Sequence, residues 1–452
     1  MGDAVMRAEA RTAGPPAPRR REGDAPVQVI IALEHRFLGT PDGAVWTDGT
    51  YPRPFWDRYL DAFDAVTILA RVRRVARADR LWRRVDDAVV RVHAVPDYQG
   101  PWQYLQRRSS IRRSIRAAVL QDAAFILRVP GQIGTIAASM LTARHRVLNL
   151  EVVGDPEPVF AVGVNRHPLR AFFRWWYPRN LRRQCARARN VVYVTQAFLQ
   201  KRYPTGDGRN GEELPVSRGV SDVELGASAF AASDVRGDDR AAAIAAAAVD
   251  FSRPPVRLAS IGAMNQPYKG FTDLLAAVAI CRSHGLNVAV TLIGDGPLRG
   301  QYEQEAQALG IREHVRFAGQ LPAGPAVREE LDQADIYLQP SLVEGLPRSL
   351  VEAMARGCPC IATTVGGIPE LLPMQTLVAP GRPAELAAAL KVLACDAARL
   401  REASQRNVDV ARTYSEAVLA PRRLAFHRAV SAAHQAWSNT QKPSASQCEH
   451  SR

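Results

Sequence analysis

A chain of 452 residues is too long for one ordinary hydrophobic core and fits two domains of roughly 100–200 residues each, plus tails. Apolar residues at 47% and charged residues at 23% exclude disorder as the general state. The net charge of +14 is unevenly spread, since residues 101–200 hold 16 basic side chains against 4 acidic ones.

In chain order, Met1 to Asp24 is rich in Ala, Pro and Arg and has no apolar stretch of signal-peptide type, so residues 1–24 read as a disordered basic tail, neither signal nor anchor. Val27 to Leu33 reads as a first buried strand, followed by a loop punctuated by Gly39, Pro41, Asp42 and Gly43. Phe55 to Phe63 reads as a helix. Further strands are expected at Ala65 to Arg71, Ala123 to Val129, Arg146 to Val153 and Asn190 to Thr195, with helical stretches between them. Such alternation implies a parallel sheet covered on both faces, here over residues 25–225.

Two residues of this half are candidates for the acceptor side of a site. Arg128 ends a buried strand, where an unpaired guanidinium is costly; its alternative is an ion pair with Glu151 or Asp155. His35 follows the first strand, and its alternative is one local hydrogen bond.

The basic excess comes as Arg107, Arg108, Arg112, Arg113 and Arg116 at near-helical spacing. A second run extends from Arg170 to Arg189, with Trp175, Trp176 and Tyr177 within it. No helix-turn-helix, zinc-finger or RNP pattern accompanies them, so nucleic acid is not the expected partner. Arginines among amphipathic aromatics suit an anionic membrane face. The alternative is a solvated face in an arginine-rich chain with only four lysines.

Residues 226–255 read as a linker, where the apolar pattern lapses into Gly, Asp, Ser and a run of alanines. A second alternating series follows over 256–412. Its strands are expected at Arg257–Ile261, Val288–Ile293, His314–Phe317, Asp335–Gln339 and Pro359–Thr363, and its helices at Phe271–Ser283, Leu298–Leu309, Ala323–Gln333 and Pro347–Arg356. Residues 413–438 read as a helix packing back toward the first domain, and 439–452 as a disordered polar tail. No apolar run reaches the ~18 residues a membrane-spanning helix needs. The six cysteines lack CxxC pairs and read as reduced structural thiols. A cytoplasmic protein is expected, with any membrane contact peripheral at the inner face.

The chemistry concentrates in the second half. Eight positions separate Glu344 from Glu352 in Ser341-Leu-Val-Glu-Gly-Leu-Pro-Arg-Ser-Leu-Val-Glu. A buried strand runs into the loop of Glu344 and Gly345, and Pro347 suits the first turn of the helix that carries Glu352. Unpaired N–H groups and the dipole at such a helix start favour a phosphate, while two carboxylates accept hydrogen bonds from sugar hydroxyls. A sugar nucleotide has both kinds of group. The alternative is that the acids merely complement the dipole.

Lys269, in Asn265-Gln-Pro-Tyr-Lys-Gly-Phe, offers a mobile point charge to a diphosphate, and the helix start at Gly270 adds N–H donors. A surface lysine is its alternative. Gly294-Asp-Gly-Pro lets backbone approach a ligand closely but lacks the GxGxxG spacing of a dinucleotide fold. Gly366 and Gly367 leave room for a sugar, with N–H groups to hold it. Two doubly wound domains face each other across a cleft, where the ligand sites of both sheets open.

These residues resemble the retaining glycosyltransferases of family four, with the two-domain GT-B fold. The resemblance rests on Tyr268-Lys-Gly, Gly294-Asp-Gly-Pro, Val315-Arg-Phe-Ala-Gly, Ala334-Asp-Ile, Pro340-Ser, the stretch from Glu344 to Gly357, and Gly366-Gly-Ile-Pro-Glu, in the family's order and spacing. Phe55-Trp-Asp-Arg-Tyr-Leu, Glu151-Val-Val-Gly-Asp-Pro and Tyr193-Val-Thr look like a bacterial branch that builds surface polysaccharides.

The resemblance implies a hexose moved from a nucleoside diphosphate sugar to a glycan or lipid-linked acceptor, without metal or cofactor. Glu344 and Lys269 would be catalytic, Glu344 holding hydroxyls of the hexose and Lys269 the diphosphate. Glu352 would hold the ribose and the backbone near Phe317 the base, with Gly345, Leu346 and Gly294 completing the donor site. Two positions depart from the family pattern: Ala263 follows Gly262 where many members carry arginine, and Arg128 stands where many have histidine. A nucleotide-sugar epimerase of the same fold and a non-catalytic sugar-nucleotide sensor are the competing readings.

Overall fold

The computed structural model describes residues 26–80, 82–160, 168–206, 216–230 and 238–441. The tail expected at 1–24 lies outside the described residues, as do 442–452 of the polar end, whose first residues 439–441 complete the last helix.

Among the described residues the first domain carries nine strands, β1 Gln28–Gly39, β2 Val45–Thr47, β3 Ala65–Arg74, β4 Arg83–Arg84, β5 Val90–Pro96, β6 Ala124–Val129, β7 Asn149–Val152, β8 Asn190–Tyr193 and β9 Val216–Gly219. Among them lie the helices α1 Asp57–Leu60, α2 Gly100–Val119, α3 Gln132–Thr142, α4 Arg170–Arg187 and α5 Phe198–Arg202. The parallel part of the sheet runs β5-β3-β1-β6-β7-β8-β9. Strand β6 is buried along its whole length, which is why its sequence is a continuous apolar run broken only by Arg128. After β1 the chain adds strands on one side of it, and from β6 on the other. The order therefore reverses between β1 and β6.

Three edge pieces go beyond the sequence reading. Strand β1 continues through a register irregularity between Ala32 and Arg36, and its far end pairs antiparallel with β2, which in turn pairs with β4. Strand β5 adds to β3 at the sheet edge; half exposed and carrying Arg91 and His93, it lacks the apolar signature of its neighbours. The helix expected at Phe55–Phe63 is a single 3-10 turn, Arg53–Trp56, followed by the short α1, and it pushes Phe55, Trp56 and Tyr59 into the core.

The second domain is an all-parallel six-stranded sheet of order β12-β11-β10-β13-β14-β15. Its strands are β10 Val256–Ile261, β11 Val288–Ile293, β12 Val315–Gly319, β13 Ile336–Gln339, β14 Cys360–Thr363 and β15 Leu377–Val378. Its helices are α6 Asp238–Val249, α7 Phe271–Ser283, α8 Arg299–Ala308, α9 Pro325–Gln333, α10 Arg348–Ala355, α11 Pro383–Ala394 and α12 Ala397–Arg412. The order reverses between β10 and β13, whose loops hold Lys269 and Glu344.

The stretch read as a linker is in good part α6, and its alanine run belongs to the second domain. Ala241, Ile244 and Ala248 fall on one face at helical spacing and join the second core. The last helix, α13 Glu416–Gln441, returns to the first domain, where Phe426 and Val430 pack with Trp56 and Tyr59. No helix of the described residues is long and apolar enough to cross a membrane, and none of the described cysteines forms a disulfide.

Candidate functional site

Lys269 and Glu344, 75 residues apart, meet at the switch point of the second sheet: Lys269 Nζ donates to Glu344 Oε1 at 2.7 Å. The loop after β10 closes with a 3-10 turn, Pro267–Lys269, that ends on Gly270 at φ 73°. A Cβ there would lie 2.0 Å from the Pro340 carbonyl oxygen, so only glycine lets this loop lie against the end of β13.

Glu344 is fixed from its own side as well. Its Oε1 also accepts from Ser341 Oγ at 2.7 Å and Gln339 Nε2 at 3.0 Å, while Gln339 Oε1 accepts from Tyr337 OH and Ser349 Oγ. Glu344 Oε1 thus has three donors, and the carboxylate's orientation is locked before any ligand arrives. Gln339 had no assigned role in the sequence. Its signal was a polar residue at the end of an otherwise apolar strand.

Glu352 lies in α10, half-buried, and its carboxylate accepts no hydrogen bond from the described residues. Burial raises its carboxyl pKa, against the pull of Arg348 and Arg328. Phe317 is on β12, half-buried, between the guanidinium groups of Arg312 at 5.5 Å and Arg299 at 5.8 Å from its ring centre. The β11–β12 register slips after Leu292–Phe317, leaving Ala318 as an extra residue at the carboxyl end of the edge strand. The loops after β10 and β11 are laced together, with Met264 N donating to Asp295 O at 2.9 Å. Gly294 gives its N–H to Gly319 O at 2.8 Å. Ala263 is exposed, with no side-chain cation in the place where the resemblance supplies one.

The site lies where the domains touch. A Cβ on Gly345 would lie 2.7 Å from the Val153 carbonyl oxygen, so the Glu344 loop abuts the loop after β7. Gly367 gives its N–H to Gly345 O at 2.7 Å. That N–H therefore holds the Glu344 loop, where a sugar contact was expected.

Glu370, in the same Gly-Gly-Ile-Pro-Glu stretch, crosses to the first domain, where its carboxylate accepts from Gln196 N at 2.6 Å, from Ala197 N at 2.9 Å and from Phe198 N. A residue of one domain thereby caps α5 of the other. Sequence reasoning missed this, because the partner N–H groups lie more than 170 residues away. Glu370→Ala is expected to cost about 1–2 kcal/mol of unfolding free energy, the usual range for a lost N-cap acceptor. Urea denaturation measures it, and an unchanged midpoint would remove the tether from the account.

The two acceptor-side candidates are placed differently from each other. Arg128 is 3% exposed, and its guanidinium is ion-paired to both Glu151 and Asp222. The ion-pair reading of Arg128 thus describes its surroundings, with Glu151 as one partner; Asp155 instead pairs with Arg202 at 2.7 Å and accepts from Tyr203 OH. Burial pushes the Glu151 carboxyl up, yet Arg128, with the His427 ring 3.9 Å away, pulls it net below the usual range. His35 packs edge-on against Phe37 and Tyr51 at 4.5 and 5.2 Å. Burial lowers its pKa to about 4, so the ring is neutral near pH 7. No cluster of metal-ligand type occurs among the described residues.

Residues 255–396 match the family model described as glycosyl transferases group 1. Protein CapJ of Staphylococcus aureus is 23% identical over 343 residues, 73% of this chain and 77% of its own length. The amylovoran biosynthesis glycosyltransferase AmsK of Erwinia amylovora is 33% identical over 129 residues, only 27% of this chain and 31% of AmsK. Among solved structures, Anabaena HepE in complex with UDP and glucose superposes with a TM-score of 0.57 at 16% identity, covering 88% of this chain and 98% of HepE. The two facing parallel-sheet domains are the GT-B fold.

Proposed function

We propose that this chain, which carries a group 1 glycosyl transferase domain on the GT-B fold, is a retaining hexosyltransferase using a nucleoside diphosphate sugar. The observation that carries the reading is the meeting of Lys269 and Glu344 at the switch point of the second sheet, at the contact between the domains. Open α/β sheets bind their ligands at such a point.

In the bound state Lys269 transfers its charge from Glu344 to the diphosphate. The glycosyl C–O bond to the diphosphate breaks, and the acceptor oxygen bonds to the anomeric carbon on the same face. The acceptor's proton goes to the departing nucleoside diphosphate, whose charge the ammonium and the N–H groups at the start of α10 stabilise. Glu344 orients the hexose hydroxyls, and Glu352 takes the ribose diol. The base lies by the backbone beside Phe317. The match to the amylovoran biosynthesis glycosyltransferase AmsK favours a role in polysaccharide assembly, and the acceptor of this proposal is a glycan or a lipid-linked glycan at the cytoplasmic side of a membrane.

A thermal-shift series with UDP, GDP, ADP and TDP and their sugars tests this. A ligand that binds only the folded state at a hundred times its Kd adds about 2.7 kcal/mol of stability. The uridine series comes first, because HepE was captured with UDP. A midpoint raised by one nucleotide series is the expected result. No shift at millimolar ligand would give Ala263 the decisive weight and favour the non-catalytic sensor.

Glu352 supplies a pH signature. Its pKa is raised in the unliganded protein, and a diol donating to the carboxylate lowers it, so binding favours the deprotonated form. Nucleotide affinity is therefore expected to weaken as pH falls through that raised pKa, and Glu352→Gln to flatten the dependence. Isothermal titration between pH 5 and 8 would show an identical slope in both proteins if Glu352 did not touch the ribose.

A further inference from the structure

Between α2 and α4 the first domain holds an open groove of about 970 Å³, within the range of small-ligand sites. Its walls are mostly rings, with Tyr98 and Tyr104 on one side and Phe160, Phe173, Trp176 and Tyr177 on the other. Phe160 stacks on Tyr177 with centroids 5.5 Å apart, and Phe172 on Trp176 at 5.7 Å. Apolar surface continues along the rim, where Phe172 is 49% exposed, Leu105 56% and Trp102 71%. An exposed apolar patch of this extent marks a binding face.

Two further observations narrow the occupant. The first is position: the groove reaches Glu34, Pro130 and Gly131, which lie just past the last paired residues of β1 and β6, Ala32 and Leu127. That is the switch point of the first sheet, where a ligand of this domain belongs. Glu34 is already engaged by Tyr98 OH at 2.7 Å, Ile133 N at 3.0 Å and Arg71 at 3.2 Å, so it does not set a free negative charge against an anion there. The second is charge. Arg108 lines the groove, and Arg107, Arg112 and Arg113 stand exposed on the same helix, while Arg174 on α4 is paired to Glu157 at 3.2 Å. A hydrocarbon slot within a cationic collar, whose inner end reaches the switch point of the first sheet, complements an amphiphile with an anionic head.

Building on the transferase reading, we propose that the groove seats the hydrocarbon chain of a phosphate-bearing lipid-linked acceptor. Arg108 meets the phosphate, and the glycan end is delivered to the cleft. Phe172 and Trp176 hold the chain by contact area, as exposed rings pre-set for an apolar partner.

Calorimetric titration of the full chain with dodecyl phosphate, kept below its micelle concentration, tests the groove without needing turnover. Saturable binding is expected, with none for inorganic phosphate. The double variant Phe172→Gln/Trp176→Gln is expected to lose at least tenfold in affinity, and Arg108→Gln severalfold. Both should keep the wild-type nucleotide-induced thermal shift, which shows that they fold.

No binding of dodecyl phosphate, or equal binding by the double variant, overturns the proposal. So does partition onto phosphatidylglycerol vesicles without monomeric lipid binding, which makes the face a bilayer contact. Loss of a dimer in the double variant by sedimentation makes it a contact between copies and overturns it as well. A nucleotide shift without lipid binding removes the groove and leaves the transferase, while lipid binding without any nucleotide shift does the reverse.

Discussion

Glu344→Gln and Lys269→Ala are each expected to lower kcat by about 10²–10³-fold, the loss seen when one preorganised group facing developing charge is removed. Stability should change little by comparison. Lys269 and Glu344 side chains are 18% and 9% exposed, and Glu344 keeps Ser341 and Gln339 as donors when the lysine goes. A partly exposed pair of this kind contributes about 1 kcal/mol or less to folding. The two roles therefore separate cleanly. A purely structural ion pair predicts a lower urea midpoint with kcat intact, whereas a working pair predicts the opposite. The double variant should be far less than multiplicatively worse, because the two groups position one substrate and lose it together. Wild-type kcat in either single variant, with the donor that the thermal screen identifies, would remove that residue from the mechanism.

The second domain was legible almost strand by strand, and the reason is physical. Strands such as Ile336–Gln339 are buried on both faces and stand between amphipathic helices, so apolar runs and their spacing carry the fold. The place of the candidate site in the fold was legible for the same reason, since Lys269 and Glu344 sit in short loops at the ends of those strands. What the sequence did not reveal are side-chain partners, near or far along the chain. Gln339 and Ser341 as the hands holding Glu344, and Glu370 as a cap on the other domain's helix, depend on contacts that periodicity does not encode. The edge strands β4 and β5 were hidden because exposed or half-exposed strands with Arg and His lack an apolar signature, and β2 because three residues are too few to show an alternation. The alanine-rich stretch before Val249 looked like a linker because alanine is weakly hydrophobic, yet its high helix propensity and a stripe at 241, 244 and 248 place it on the second domain.

Arg128→Met is expected to destabilise the fold by about 3–5 kcal/mol, the cost of stripping the partner from a buried charge. Glu151, 8% exposed, would keep only Tyr59 OH at 3.0 Å and His427 Nε2 at 3.9 Å, and Asp222 would keep Arg58 at 3.6 Å. The pH dependence gives the effect a sign. In the wild type the Glu151 carboxyl is held below its usual range, so its contribution is present above the unfolded pKa and lost as pH falls through the folded one. Without Arg128, burial and the neighbouring Asp222 carboxylate outweigh the smaller pull of His427 and the folded pKa rises, so the variant loses stability as pH climbs through the raised value. The gap between the two proteins should therefore widen from pH 5 to pH 8, and Glu151→Gln in the Arg128→Met background should close part of it. Urea unfolding at both pH values measures this. A variant that keeps wild-type stability and nucleotide binding but loses transfer would instead make Arg128 an acceptor contact, and the buried network of Glu151, Asp222 and Tyr59 would need another explanation.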